Sequence, residues 1–398
     1  MKTNRFTVVR YCLAMFYLLS ILLGFTIHLF NRSKKELQVS KLLTCYSVGL
    51  SIIPCMYYKT ASELLALGGQ RSTVTVVVDA IESILLVYSM FIGTIRRYFK
   101  HSLMEEIYRD FKSIPGSFGF TLRKSYEEAN TKVLKKMLIS IVLVTLPMVC
   151  ICTQKLVILK QSMDYLAMFT SLYPKLLMVN IVGWNYLMII YVHRLFELMN
   201  QKLIKLHCDV KRELDIDSNL IHHQGKHAQN LNKIVTLRSR IASLALKVEK
   251  LSTYTMLVIL TLIAILTLGQ TNFLFISIYR YFRFNISVGA PMNLAVVFMC
   301  VLNLYEAYCI ANACEITMEQ SRRTAEILYR FNMLDLDIRL KQNIELFLIQ
   351  LIHQPAKFTA LGITIGYTTL LSIISSVTSY LVIVIQFEIA SNNCSGKQ

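Results

Sequence analysis

Residues 359–387 read TALGITIGYTTLLSIISSVTSYLVIVIQF, a stretch without a single Asp, Glu, Lys or Arg. About 20 apolar residues in a helix cross the roughly 30 Å hydrocarbon core of a bilayer, so this run is long enough to span one. Within it Thr368, Ser372, Ser375, Ser379, Val382 and Gln386 recur at alternating steps of four and three, which puts them on one stripe of a helix. Five of these six are polar, and such a stripe is costly against lipid, so it faces a neighbouring helix or water.

Seven other runs match it in length and character: Val9 to Phe30, Val39 to Tyr58, Thr73 to Ile95, Met137 to Leu159, Leu166 to Val192, Thr253 to Tyr279 and Pro291 to Ala313. The whole chain has 398 residues, of which 55% are hydrophobic and 17% charged, outside the range of soluble domains. A net charge of +18 would suit nucleic acid, but the basic residues lie between the apolar runs and form no aromatic-studded patch. Membrane lipid is the expected partner and nucleic acid is not.

Cytoplasmic loops retain positive charge, and that bias orients the spans. Residues 96–136 hold ten Lys or Arg, 193–250 eleven and 315–357 six, so all three are assigned to the cytoplasm. The connections carrying Lys59 and Arg71, Lys155 and Lys160, and Arg280 and Arg283 are short and face outward. These six assignments alternate only if seven spans begin at Val39, from the cytoplasmic side. The first run then has basic residues on both sides and reads as a re-entrant or interfacial helix, with an eighth span as the alternative.

The expectation is an all-α membrane protein of seven transmembrane helices plus that N-terminal helix, with a cytoplasmic N-terminus. Its divisions are 1–38 (N-terminus and re-entrant helix), 39–192 (helices one to four, the ligand-binding bundle), 193–252 (cytoplasmic extensions), 253–313 (helices five and six), 314–357 (cytoplasmic anchor helix), 358–388 (pore-lining helix seven) and 389–398 (extracellular tail). Pro355 interrupts the backbone ladder between the last two helices. Sequons at Asn285 and Asn393 fall on the expected outer side.

Ionisable residues within spans are candidate site residues. Asp79 and Glu82 lie three apart on one face of the second span, and Lys175 lies at comparable depth in the fourth, so they read as an ion pair or as the polar end of a ligand pocket. Tyr165 and Tyr173 fit its walls or serve as interface anchors. Glu306, with Asn303 one turn away, reads as helix packing. The cluster His222, His223 and His227 lacks Cys or carboxylate at ligand spacing, and neither metal nor cofactor is expected. No nucleophile, base and orienting group converge, so an enzyme is not expected.

The run from Thr378 through Ser379 and Tyr380 to Gln386 and Phe387 resembles the signature of insect gustatory receptors, a Thr-Tyr pair, five apolar residues and Gln-Phe. Ser379 stands where that signature has Thr and keeps the hydroxyl. Phe358 to Gly362 and Thr369 to Leu371 are similar to the family's approach to the signature, although an acid or amide near Gly366 is missing, a departure that bears on local packing. The resemblance implies a ligand-gated cation channel of gustatory neurons, in the plasma membrane, made of four like or related subunits. It implies a small-molecule tastant bound in the outer half of the bundle, permeating cations, Gln386 and Phe387 near the gate, and cytoplasmic helices forming a central anchor. A G-protein-coupled receptor and a secondary transporter are the rival classes. The first would carry Asp-Arg-Tyr and Asn-Pro-x-x-Tyr motifs and the second repeated halves, none of which the sequence shows.

Overall fold

In a bilayer every backbone polar group must be bonded within the protein, and the chain answers with helices far longer than the membrane is thick. The computed structural model describes residues 14–31, 36–50, 98–117, 119, 122–153, 165–216, 221–284, 290–331 and 336–395. Its elements are β1 (His28–Asn31), β2 (Glu36–Val39), α1 (His101–Ser117), α2 (Leu122–Thr153), α3 (Tyr165–Ile216), α4 (Ile221–Phe284), α5 (Ala290–Tyr329), α6 (Ile338–His353), β3 (Thr359–Ala360), β4 (Ile363–Thr364) and α7 (Tyr367–Ser395). Helical backbone also covers 14–22 and 41–50.

Among the described residues five segments are long and apolar enough to cross a membrane: Tyr126–Thr153, Lys175–Glu213, Gly225–Tyr279, Ala290–Tyr329 and Tyr367–Phe387. They coincide with the third to seventh expected spans. The second span, and the first beyond residue 50, lie outside the described residues.

The helices do not stop at the membrane. α4 has 64 residues, about 96 Å of helix against the roughly 30 Å of the hydrocarbon core, so most of its length lies beyond that core. The divisions at 192/193, 252/253 and 313/314 fall inside α3, α4 and α5, with no backbone break to mark them. Where 314–357 was expected as the anchor helix, α5 runs on to Tyr329 and α6 forms separately.

α3 is the central helix. It packs against α2, α4 and α5, and 83% of its most apolar stretch is buried, whereas none of the corresponding stretch of α7 is. α7 lies on the outside of the bundle, against α4 and α5, and α6 packs on α4. This unequal burial separates a helix that serves the subunit's own core from one left available.

The first apolar run differs from its expected extent of Val9 to Phe30. Its helix ends at residue 22, because Gly24 takes a left-handed φ of 65° and turns the chain into the antiparallel β1–β2 pair, with His28 opposite Val39. The helical part docks on α3: Phe16 and Trp184 lie 5.3 Å apart, and Trp184 Nε1 donates to Ser20 Oγ (2.8 Å), which donates to Asn180 Oδ1 (2.9 Å). Close approach here needs Gly183, since a Cβ there would sit 2.6 Å from Met137 Sδ and 3.2 Å from Phe16 Cζ. Gly183→Val is expected to cost about 1–3 kcal/mol through overpacking. The measurement is the melting temperature of the detergent-solubilised protein; an unchanged value would show that α2 and the first helix yield freely.

Candidate functional site

Two polar constellations stand out: the stripe along α7, which the sequence marks, and a charge pair in the core, which it hides. On α7 the side chains in partial contact with the rest of the chain are Thr369, Leu370, Ile373, Val377, Leu381 and Ile385. Thr368, Ser372, Ser375, Ser379, Val382 and Gln386 are all exposed. At 3.6 residues per turn the two sets centre about 180° apart. The polar stripe therefore points away from the subunit's own bundle.

Three α7 hydroxyls bond back along the helix: Ser372 donates to Thr368 O (2.9 Å), Thr378 to Ile374 O (2.8 Å) and Ser379 to Ser375 O (3.0 Å). Their hydrogens are thus satisfied in the absence of water, while their lone pairs remain open to donors. Phe387 is 65% exposed and Tyr380 61%, so the signature residues lie on the surface of the single chain.

α7 begins after a short hairpin. The span expected from Thr359 starts instead at Tyr367, because Leu361 (φ 50°) and Gly362 (φ 90°) close a two-residue turn that pairs Thr359 with Thr364. Tyr367 donates to Asn312 Oδ1 of α5 (2.6 Å). At Gly366 a Cβ would stand 2.5 Å from Glu315 Oε2, so α5 places a carboxylate where the sequence has no side chain to offer. An acid at this point also complements the positive end of the α7 dipole.

The core pair joins α2 to α5. Lys136 Nζ donates to Glu306 Oε2 at 2.6 Å, with 2% and 0% of the side chains exposed. Asn303, one turn before Glu306, donates to Gln270 Oε1 of α4 (3.1 Å). Glu306 and Asn303 do link helices, as expected, but with different partners. Lys136 escaped notice because it stands at the edge of a basic stretch, where it counts as a loop charge. Further along, Asn200 of α3 accepts from Thr324 (2.8 Å) and donates to Gln320 O (2.8 Å), a second polar clamp on α5.

For the expected ligand residues, Asp79 and Glu82 lie outside the described residues, as does Asn285. Tyr165 opens α3 and Asn393 is near the end of α7. Tyr173 is buried, and its hydroxyl donates to Leu23 O (3.0 Å), which ties α3 to the turn after the first helix. Lys175 is half-buried with Nζ 3.2 Å from Met299 Sδ, on the side of α3 that meets α5. His227 pairs with Glu213 (2.7 Å), and among the described residues no cluster of His, Cys, Asp or Glu could hold a metal.

Five span-capable helices, a buried ion pair between two of them and a polar face on the outermost one define a multi-pass membrane protein. The family model described as 7tm Chemosensory receptor matches residues 13–391, and the chain belongs to that family, which is one of receptors and not of enzymes. Among solved structures the fold is similar to the insect olfactory receptor OR5 from Machilis hrabei, with a TM-score of 0.65 at 10% identity. The same receptor in complex with eugenol gives a TM-score of 0.67 at 11% identity. Both alignments cover 96% of this chain and 99% of the other. No curated protein sequence matches the chain.

Proposed function

We propose that this chemosensory receptor is a ligand-gated cation channel of gustatory neurons, built from four like or related subunits around a pore lined by α7. The observation that carries the reading is the placement of Ser372, Ser375, Ser379, Val382 and Gln386 on the side of α7 opposite its own bundle, on a helix whose most apolar stretch has no fully buried residue. One such helix cannot enclose a water path, so symmetry-related copies must supply the remaining walls. Gln386 offers an amide to hydrated cations and Phe387 an adjacent dewetting ring. The signature running from Thr378, Ser379 and Tyr380 to Gln386 and Phe387 supports taste as the modality.

Small-molecule binding is supported by the eugenol complex of the structurally similar olfactory receptor. In this chain the pocket is assigned to the outer half of the bundle, around Asp79, Glu82, Tyr165, Tyr173 and Lys175. The protein resides in the plasma membrane with its N-terminus in the cytoplasm, its C-terminus outside and Asn285 and Asn393 open to glycosylation.

The test is cysteine accessibility in intact cells. Ser379→Cys and Gln386→Cys react with membrane-impermeant thiol reagents when a ligand is applied, whereas Ile373→Cys and Leu381→Cys, on the packed face, do not. If Ser379→Cys and Gln386→Cys stay unreactive both at rest and under a broad ligand panel, the pore assignment is wrong.

A further inference from the structure

The hairpin that leads into α7 is held from α4 by a single carboxylate. Glu249 Oε1 accepts the Thr359 backbone N–H (3.1 Å) and also the Thr359 hydroxyl, in a short hydrogen bond. Two bonds from one side chain fix both the backbone and the side chain of the first hairpin residue. Phe358, Ala360 and Ile365 around it are each 2% exposed, so the base of the hairpin is packed as well as bonded.

The tip of the hairpin is strained. Leu361 takes φ 50°, a left-handed conformation that a bulky residue without local hydrogen-bonding capacity seldom adopts. The side chain is 55% exposed, so its own packing does not compensate for that conformation. Something else must hold the turn, and the bonds at Thr359 are placed to do so, two residues before the strained Leu361. Beyond the turn, Ile365 N–H returns to Phe358 O (2.9 Å) and α7 begins two residues later.

We propose that Glu249 is a positioning residue for α7: by clasping Thr359 it holds the strained 359–364 hairpin in place and so makes the first turn of α7 follow α4. This rests on the channel reading above, since its consequence is that movement of α4 on ligand binding reaches the pore helix through this contact. The contact is between helix and hairpin of one subunit and needs no neighbouring copy.

Two measurements on the full-length protein decide it. The first needs no current: amide hydrogen exchange of the purified receptor over 354–366 should rise in Glu249→Ala and Thr359→Val, and should stay near the parent in Glu249→Gln, which keeps an acceptor. Unchanged exchange in Glu249→Ala overturns the clasp. The second uses currents from cells with matched surface expression. Losing hydrogen bonds to a charged group should raise the half-maximal ligand concentration about tenfold or more in Glu249→Ala, with single-channel conductance unchanged and partial rescue by Glu249→Gln.

Leu361→Gly, which relieves the strained φ, should bring the half-maximal concentration of Glu249→Ala back toward the parent. Raised exchange with unaltered ligand sensitivity overturns the positioning role and leaves the channel reading intact. A parent protein that carries no ligand-evoked current under any condition fails the channel reading itself, and the exchange result still decides whether Glu249 holds the hairpin.

Discussion

Lys136→Ala is expected to cost about 3–5 kcal/mol and to remove most of the receptor from the cell surface, and Glu306→Ala should do the same. The two groups are 2.6 Å apart with 2% and 0% of their side chains exposed, so neither can turn to water when its partner is lost. Glu306 has little in reserve: Oε1 is buried and makes no hydrogen bond of its own, which leaves the lysine as the group that neutralises the carboxylate. Desolvation makes the intact pair a weak source of net stability, and removing both charges together should therefore be far milder than removing one. Lys136→Met combined with Glu306→Leu is expected to recover surface expression and melting temperature, both measured against the two single variants. Single variants that express and melt like the parent would show that the bilayer or an internal water solvates the orphaned charge. The result bears on function as well as folding, because this pair ties α2 to α5, the helix that meets the start of α7 through Asn312 and Glu315.

Gln386→Lys is expected to abolish cation current while leaving surface expression intact. In the proposed tetramer the substitution places four ammonium groups around one constriction. A cation about 5 Å from each is opposed by roughly 0.8 kcal/mol per group even at the permittivity of water, about 3 kcal/mol in all, or on the order of a hundredfold in occupancy. A less polar pore magnifies the effect. Gln386→Glu has the opposite sign and should favour divalent over monovalent cations, and Gln386→Ala should change conductance less than either. Whole-cell recordings normalised to surface protein give the answer. Normal current through Gln386→Lys would place this residue away from the conduction path, whatever the fate of the other stripe positions.

The polar stripe of α7 was legible because it is a property of one helix. Helical periodicity converts spacing into a face without reference to anything else in the molecule, so Ser372, Ser375, Ser379, Val382 and Gln386 could be aligned from the chain alone. Which way that face points was not legible, since the hydroxyls would look the same if they packed against α4. Glu306 was recognisable as an expensive charge in an apolar run, yet its partner lies 170 residues earlier in a basic stretch. There the bias that orients the spans hides one lysine that is not at the surface at all. The start of α7 was misplaced by eight residues because the run from Thr359 is uncharged throughout, and the hairpin is set by backbone angles at Leu361 and Gly362 that hydropathy does not register.

By itself the sequence determined the class of protein, the course of its later spans and the polar side of its last helix. Each follows from local chemistry: a run of apolar residues has to be helical in a solvent that cannot bond its backbone, and a helix fixes which residues share a side. Only the tertiary structure decided that α3 is the core and α7 the periphery, that Lys136 meets Glu306, and that Glu249 grips the hairpin below α7. Those are pairings between distant segments, chosen by how whole helices pack, and many partners of the same chemistry would have satisfied the sequence equally well.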